Sequence, residues 1–564
     1  MTRSGLHATL RLVAVLLLGG CAGARRGDVW STLAARLHEQ QLDAHPQQGV
    51  ALGLHRYDGR LPAVDAESLR RELARLRRAR AELLAADVAR LDSRARLEHD
   101  ALQVQVRSDL FRLEELRQPW RDPAGSLPAL ELVDYVSRPY APAAQRARAV
   151  IALCHGAPAY LAAVRASLEP RLPRLLVEHA LHHLDGLLSF ARDDVPAALA
   201  DAPSAELRAA LALYAGALRQ HRAFLEGRRA AAGEGFALGE RRFLGMLEAT
   251  QNLSFTLGAL ERLARDDLRR NRAALDGAAR AIAPGRPTAE VVAMVSADKP
   301  APGELLELAA RQMELCHRIV VERDLASLPR STPISPRLTP SFLRWNWAFL
   351  DAAGPFEPRP QPSYFYVSPP DPAWPAERQR AYLPSRADLL FTAVHEVWPG
   401  HFLAKLHQRR QPSPILRSGM VSSVAEGWAH YAEELLGEQA LPDPRLQVGQ
   451  LKLALIRDVR FLAAIGLHAR GLSLDEARRL FAELAFADPA TAQQQAERGA
   501  FDPMYLIYTL GKLAVRKLRA DWRARVGAGR DLRELHDALL AIGPAPSLPA
   551  IRRELLGVNA GPVL

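Results

Sequence analysis

The chain reads as a mainly α protein, and three observations predict this. Apolar residues recur at three- and four-residue steps through most of the 564 residues. Strand-like character is confined to one short aromatic segment, Tyr364-Phe-Tyr-Val367. Pro and Gly gather between the periodic stretches and punctuate them. Apolar residues make up 48% and charged residues 24%, the balance of a body that folds in water. A chain of this length buries a large core without help from disulfides or metals.

At the N-terminus, Arg3 and Arg11 precede the apolar run Leu12-Val-Ala-Val-Leu-Leu-Leu18. The run is too short to span a bilayer but fits the apolar region of a signal peptide. Leu18-Gly-Gly-Cys21 then resembles a bacterial lipobox. That resemblance implies residues 1–20 as a lipoprotein signal peptide, lipid on the Cys21 thiol, and a membrane partner reached through this N-terminal anchor. The expected location is the periplasmic side of the envelope, at the outer membrane because Ala22 rather than Asp follows the cysteine.

Leu69, Leu73, Leu76 and Leu83 form the first clear helical stripe, bounded upstream by the turn-like Tyr57-Asp58-Gly59. Similar stripes cover residues 90–118, 143–168, 205–230, 240–275, 303–324, 446–470 and 505–526. Between 283 and 303, Pro284, Gly285, Pro287, Pro300, Pro302 and Gly303 cluster, which predicts an N-terminal helical lobe at 21–290 and a C-terminal lobe at 291–564 carrying the site. The segment Tyr364 to Val367, flanked by Pro362 and Pro369, reads as an isolated or edge strand able to pair with an extended peptide, so a short edge strand or small sheet is expected beside the site helices. Cys154 and Cys316 lie in apolar helical contexts and read as buried free thiols. The net charge of +11 comes mostly from Arg spread along the chain and alternating with Asp and Glu, so solvated helix faces are expected and a nucleic-acid partner is not. The sequence carries no signature of oligomeric state.

The chemistry concentrates in His395-Glu-Val-Trp-Pro-Gly-His401. A histidine followed by a glutamate late in an apolar helix places an imidazole ligand beside a general base. Two histidines four apart share a helix face, but Pro399 occupies that second position here and His401 lies six residues on. On an unbroken helix that would put His401 roughly 120° off the face. Pro399 cannot donate to the His395 carbonyl and Gly400 tolerates unusual backbone angles, so a kink or bulge is expected, one that brings His401 back to the metal. Thirty residues after Glu396, Glu426-Gly-Trp-Ala-His430-Tyr-Ala-Glu433-Glu434 forms a second helical run in which Glu426 and His430 share a face. Metal ligands His395, His401 and Glu426, with His430 orienting them and Zn2+ as the metal, are the expected set.

These two segments resemble the bacterial DUF885 proteins, a family of uncharacterised function similar to zinc metallopeptidases. Gly53-Leu-His-Arg-Tyr-Asp-Gly-Arg-Leu-Pro62, Leu238-Gly-Glu-Arg-Arg-Phe243 and Asp502-Pro-Met-Tyr-Leu-Ile-Tyr-Thr-Leu-Gly-Lys512 extend the likeness over nearly the whole mature chain. The resemblance implies a mainly α, metallopeptidase-like fold, a zinc site and peptide-bond hydrolysis. The chain departs from the family pattern at Ala464, where an aspartate is common, and at Phe402, where many members carry a second histidine.

With zinc held by three residues, Glu396 is the expected general base. Tyr508, His468 and Tyr431 are candidates to stabilise the oxyanion, Tyr508 first because of its family-like segment. A peptide or small amide is then the expected substrate. The rival expectations are a non-catalytic periplasmic binding or scaffold lipoprotein with a degenerate metal site, and a metal-dependent hydrolase of other amides or esters.

Overall fold

A computed structural model describes residues 29–202, 204–330, 333–340, 347–527 and 529–564. Cys21 and the signal-peptide segment lie outside the described residues. The architecture is mainly α with one three-stranded sheet. The helices start where the sequence supplies caps. Thr256 Oγ1 accepts from the backbone of Ala259 at the head of Leu257–Ile282, and Ser385 does the same for Asp388 at the head of Arg386–Glu396. Asp443 caps Pro444–Ala469, where Pro at the first position costs no hydrogen bond.

Buried apolar side chains form two cores. One gathers residues from 30 to 111 and from 243 onward. The other lies mainly within residues 124–232 and includes the helix Ala143–Ser167. That helix is apolar and long enough to cross a bilayer by composition, yet 56% of its most apolar window is buried within the protein, as befits a core helix. The Pro- and Gly-rich stretch after residue 282 joins Leu257–Ile282 to Thr288–Ser296, and both helices contribute to the first core. Cys154 and Cys316 are buried and unpaired.

A small sheet is present, as one of the two expectations has it, and it corrects the place given to Tyr364 to Val367. Strands β1 (Ile334–Leu338), β2 (Ala348–Asp351) and β3 (Ser363–Val367) run in the order β1-β3-β2. The segment predicted as an isolated or edge strand is therefore the central one. It pairs parallel with β1 and antiparallel with β2, and all five residues of β3 are buried. Pro362 and Pro369 lie outside its paired residues, so they cost the ladder nothing. A peptide cannot add to a strand whose two edges are already taken, and the outer strands of the sheet are β1 and β2.

Candidate metal centre

The helix Arg386–Glu396 ends one residue after His395, and a new helix, His401–Arg409, begins after four residues. The expected kink is a full break. Pro399 has no N–H to continue the ladder, and the Trp398–Pro399 peptide bond is cis. Gly400 instead donates to the carbonyl of Val394 at 3.0 Å. Any side chain at position 400 would collide with the backbone, since a Cβ there would stand 1.9 Å from the His395 oxygen. The indole of Trp428 ties the break to the helix Ser422–Gln439 by donating to the Pro399 carbonyl at 2.9 Å.

This break carries His401 back toward His395. Their ring centres are 4.7 Å apart and nearly perpendicular. Glu426, from the helix Ser422–Gln439, reaches between them: its Oε2 stands 3.3 Å from His395 Nε2 and 3.4 Å from His401 Nε2. All three ligand atoms lie within 4.8 Å of one another. A tetrahedral zinc with bonds of about 2.0–2.1 Å sets its ligand atoms roughly 3.3 Å apart. The two edges to Glu426 match that figure, and Glu426 Oε2 is buried without a well-formed hydrogen bond. Two imidazoles and one carboxylate are also a donor set that zinc accepts, so the residues present fit the metal.

The Glu426 helix is held close by two glycines. Gly427 packs on Gly511 of the helix Ile507–Val526, where a Cβ on Gly427 would meet the Gly511 carbonyl carbon at 2.5 Å. The opening of the Glu426 helix is satisfied by Gln251, whose Oε1 accepts from Ser423 N at 2.9 Å.

Behind the cluster, His395 Nδ1 faces Glu433 Oε1 at 2.7 Å. Arg457 grips that carboxylate through both its oxygens, each at 2.9 Å. With the Nδ1 proton directed at Glu433, Nε2 is the nitrogen that faces Glu426 and the metal position. Burial lowers the His395 pKa, but the carboxylates of Glu426 and Glu433 outweigh it and raise it to about 9, so near neutral pH the ring carries a second proton that a metal at Nε2 would displace. Glu433 is fully buried, and Arg457, His395 and His430 keep its carboxyl well below the usual range. His430 is one step further out. It is fully buried, its Nδ1 lies 3.6 Å from Glu433, and burial with the charges of Lys512 and Arg457 pushes its pKa down to about 3. Neither of its ring nitrogens has a hydrogen-bond partner among the described residues, so the residue that orients His395 is Glu433. The sequence offered a signal for it: position 433 is seven residues from Glu426, two turns along the same helix face.

Glu396 accepts from the backbone N–H of Leu350 in β2 through Oε2 at 3.0 Å. Tyr508 lies beside the cluster, its ring 6.3 Å from that of His395, with its hydroxyl accepting from Arg498 at 3.3 Å. His468 is not brought to the group. It stands eleven residues beyond Arg457, roughly 16 Å along the same helix, is 1% exposed, and bonds the Gly499 carbonyl at 2.7 Å. Tyr431 is also turned away, its hydroxyl 2.9 Å from His536.

The model of the DUF885 family, described as "Bacterial protein of unknown function", matches residues 46–555. No curated protein matches the chain. Among solved structures it is similar to a candidate lipoprotein of unknown function from Shewanella oneidensis, with 20% identity and a TM-score of 0.77 over 93% of this chain and 99% of that one. It is also similar to a candidate lipoprotein from Colwellia psychrerythraea, with 15% identity and a TM-score of 0.78 over 94% and 98% of the two chains. At such identities the likeness is one of fold.

Proposed function

The chain belongs to the DUF885 family, and from that premise and its His395, His401 and Glu426 cluster we propose that it is a zinc-dependent hydrolase with a metallopeptidase-like fold, cleaving peptide bonds. The observation that carries the reading is the pair of near-equal separations from Glu426 Oε2 to the two imidazoles, the spacing of a tetrahedral site. A bound zinc supplies Lewis acidity and an open coordination position. Glu396 takes a proton from the attacking water. As the new carbon–oxygen bond forms and the carbon–nitrogen bond breaks, it delivers that proton to the leaving amine. Leu350 N–H fixes one oxygen of that carboxylate and leaves the other with no protein partner among the described residues. Tyr508, held by Arg498 and with its ring 6.3 Å from that of His395, is our candidate donor to the developing oxyanion.

A lipid anchor at Cys21 belongs to the same proposal. The Leu18-Gly-Gly-Cys21 pattern supports it, as do the two candidate lipoproteins that share the fold. Cys21→Ser is expected to move the protein from the outer-membrane fraction to the soluble periplasm, and unchanged membrane association would count against the anchor.

One observation favours a non-catalytic scaffold instead: the Leu350 bond gives Glu396 a structural use. A peptide library presented to the zinc-loaded chain separates the readings. The hydrolase reading expects cleavage that stops on chelation, returns with zinc, and falls by about 10²–10⁴-fold in Glu396→Gln. No cleavage by a zinc-loaded, folded wild-type chain would favour the scaffold.

A further inference from the structure

Three arginines surround Tyr508, and they are not equivalently paired. Arg457 lies with its guanidinium carbon 5.8 Å from the Tyr508 ring centre and is held by both oxygens of Glu433. Arg498 is bound to Asp502 at 3.0 Å and to the Tyr508 hydroxyl. Arg460, with its guanidinium carbon 5.2 Å from the same ring centre, has no carboxylate within salt-bridge distance among the described residues. Its one side-chain hydrogen bond among the described residues runs from Nε to the neutral Oε1 of Gln495 at 2.7 Å, and Gln495 is itself buried. The two terminal nitrogens of Arg460, the fork that fits a carboxylate, have no protein acceptor among the described residues. Burial, together with the charges of Arg498 and Arg457, pushes the Arg460 pKa down to about 10, as expected for a cation short of a counter-charge.

We propose that Arg460 is a substrate-anion subsite beside the metal centre, taking a carboxylate carried by the substrate one or two residues from the bond to be cleaved. This rests on the hydrolase reading for its position and on the arginine cluster for its chemistry. The Tyr508 ring is 6.3 Å from His395 and the Arg460 guanidinium carbon 5.2 Å from Tyr508, so the guanidinium stands no more than about 12 Å from the His395 ring. A charged hydrogen bond takes up about 2.8 Å of that and each extended residue about 3.5 Å. The remaining gap therefore holds at most two residues. Gln495 holds Nε, which turns the terminal nitrogens into a prepositioned fork and reduces the ordering cost of binding. The carboxylate is either the free C-terminus of a short peptide or an acidic side chain next to the scissile bond.

The test measures binding rather than turnover. Zinc-loaded and metal-free full chains carrying Glu396→Gln, in detergent, are titrated calorimetrically with N-acetyl-Ala-Phe, its C-terminal amide, and N-acetyl-Ala-Glu amide. The free acid is expected to bind at least tenfold more tightly than the amide, and Arg460→Gln is expected to erase that difference while leaving amide binding within about twofold. If the Glu-containing amide matches the acid, a side-chain carboxylate is the ligand; if only the acid binds tightly, the C-terminus is. Both results uphold the subsite. Equal binding of all three, no binding of the acid at 10 mM, or a preference that survives Arg460→Gln would overturn it. The acid-to-amide ratio in the parent chain needs no further variant, so it decides the matter even if Arg460→Gln fails to fold. Acid preference in these chains with no cleavage by the zinc-loaded chain that keeps Glu396 would sink the hydrolase reading alone, and cleavage by that chain without acid preference here would sink the subsite alone.

Discussion

Glu433 Oε1 stands 2.7 Å from Nδ1 of His395, on the side of the ring opposite Glu426. A carboxylate in that place fixes the ring's orientation and its tautomer, and raises the basicity of the nitrogen that faces the metal position. Glu433→Gln keeps the volume but removes the charge. Zinc affinity, measured by competition with a chromogenic chelator, is expected to fall about 10–100-fold. An unchanged affinity would mean that the pair is structural only. Melting temperature is to be followed in parallel, because the change also leaves the Arg457 guanidinium without its carboxylate.

Gly400→Ala tests the break between the two site helices. The added Cβ would sit 1.9 Å from the His395 oxygen and 2.4 Å from the Val394 oxygen. Both are backbone atoms, so relief requires moving the chain that carries His395. A stability loss of about 3 kcal/mol, with loss of bound zinc, is the expected result in denaturant titration and metal analysis. A stable variant with full zinc content would show that the break tolerates a side chain.

His55 predicts a pH dependence of stability away from the metal. Burial works against its charge, but hydrogen bonds to Asp58 at 3.3 Å and Glu357 at 3.2 Å prevail and raise its pKa to about 9. Its ring also stacks on Tyr140 at 3.9 Å. Because the folded value exceeds the unfolded one of about 6.5, this contribution is fully present below pH 6.5 and is lost as pH rises through about 9. The difference in melting temperature between wild type and His55→Gln is therefore expected to be largest near pH 6 and to shrink by pH 9.5. A difference that grows with pH would contradict the assignment.

The helical periodicity was legible along the chain because it depends on neighbours a few positions away. So was the need for a break at Pro399 and Gly400, since a missing N–H and a missing Cβ are local properties. The partnership of His395 with Glu433 was harder to see. His430 and Glu433 both lie on the Glu426 side of their helix, and only the depth of burial and the approach of Arg457 from another helix decide which of them meets the imidazole. The position of Tyr364 to Val367 within the sheet was misread for a similar reason. Proline marks the edge strand, as the rule requires, but the informative proline is Pro336 within β1, whereas Pro362 and Pro369 merely bound the central strand. Parallel pairing of Ile334 with Ser363 joins segments 29 residues apart, and no local pattern announces it. Arg460 likewise shows its missing counter-charge only once Glu433 and Asp502 are seen to be taken by its neighbours.

The central claim is that His395, His401 and Glu426 hold one zinc. Elemental analysis of the purified full chain, beside His395→Ala, His401→Ala and Glu426→Ala forms shown to be folded by circular dichroism, tests it most directly. The account predicts about one zinc per wild-type chain and its loss from all three variants. A folded wild-type chain that holds no zinc even after the metal is added back, or variants that keep it, would contradict the account.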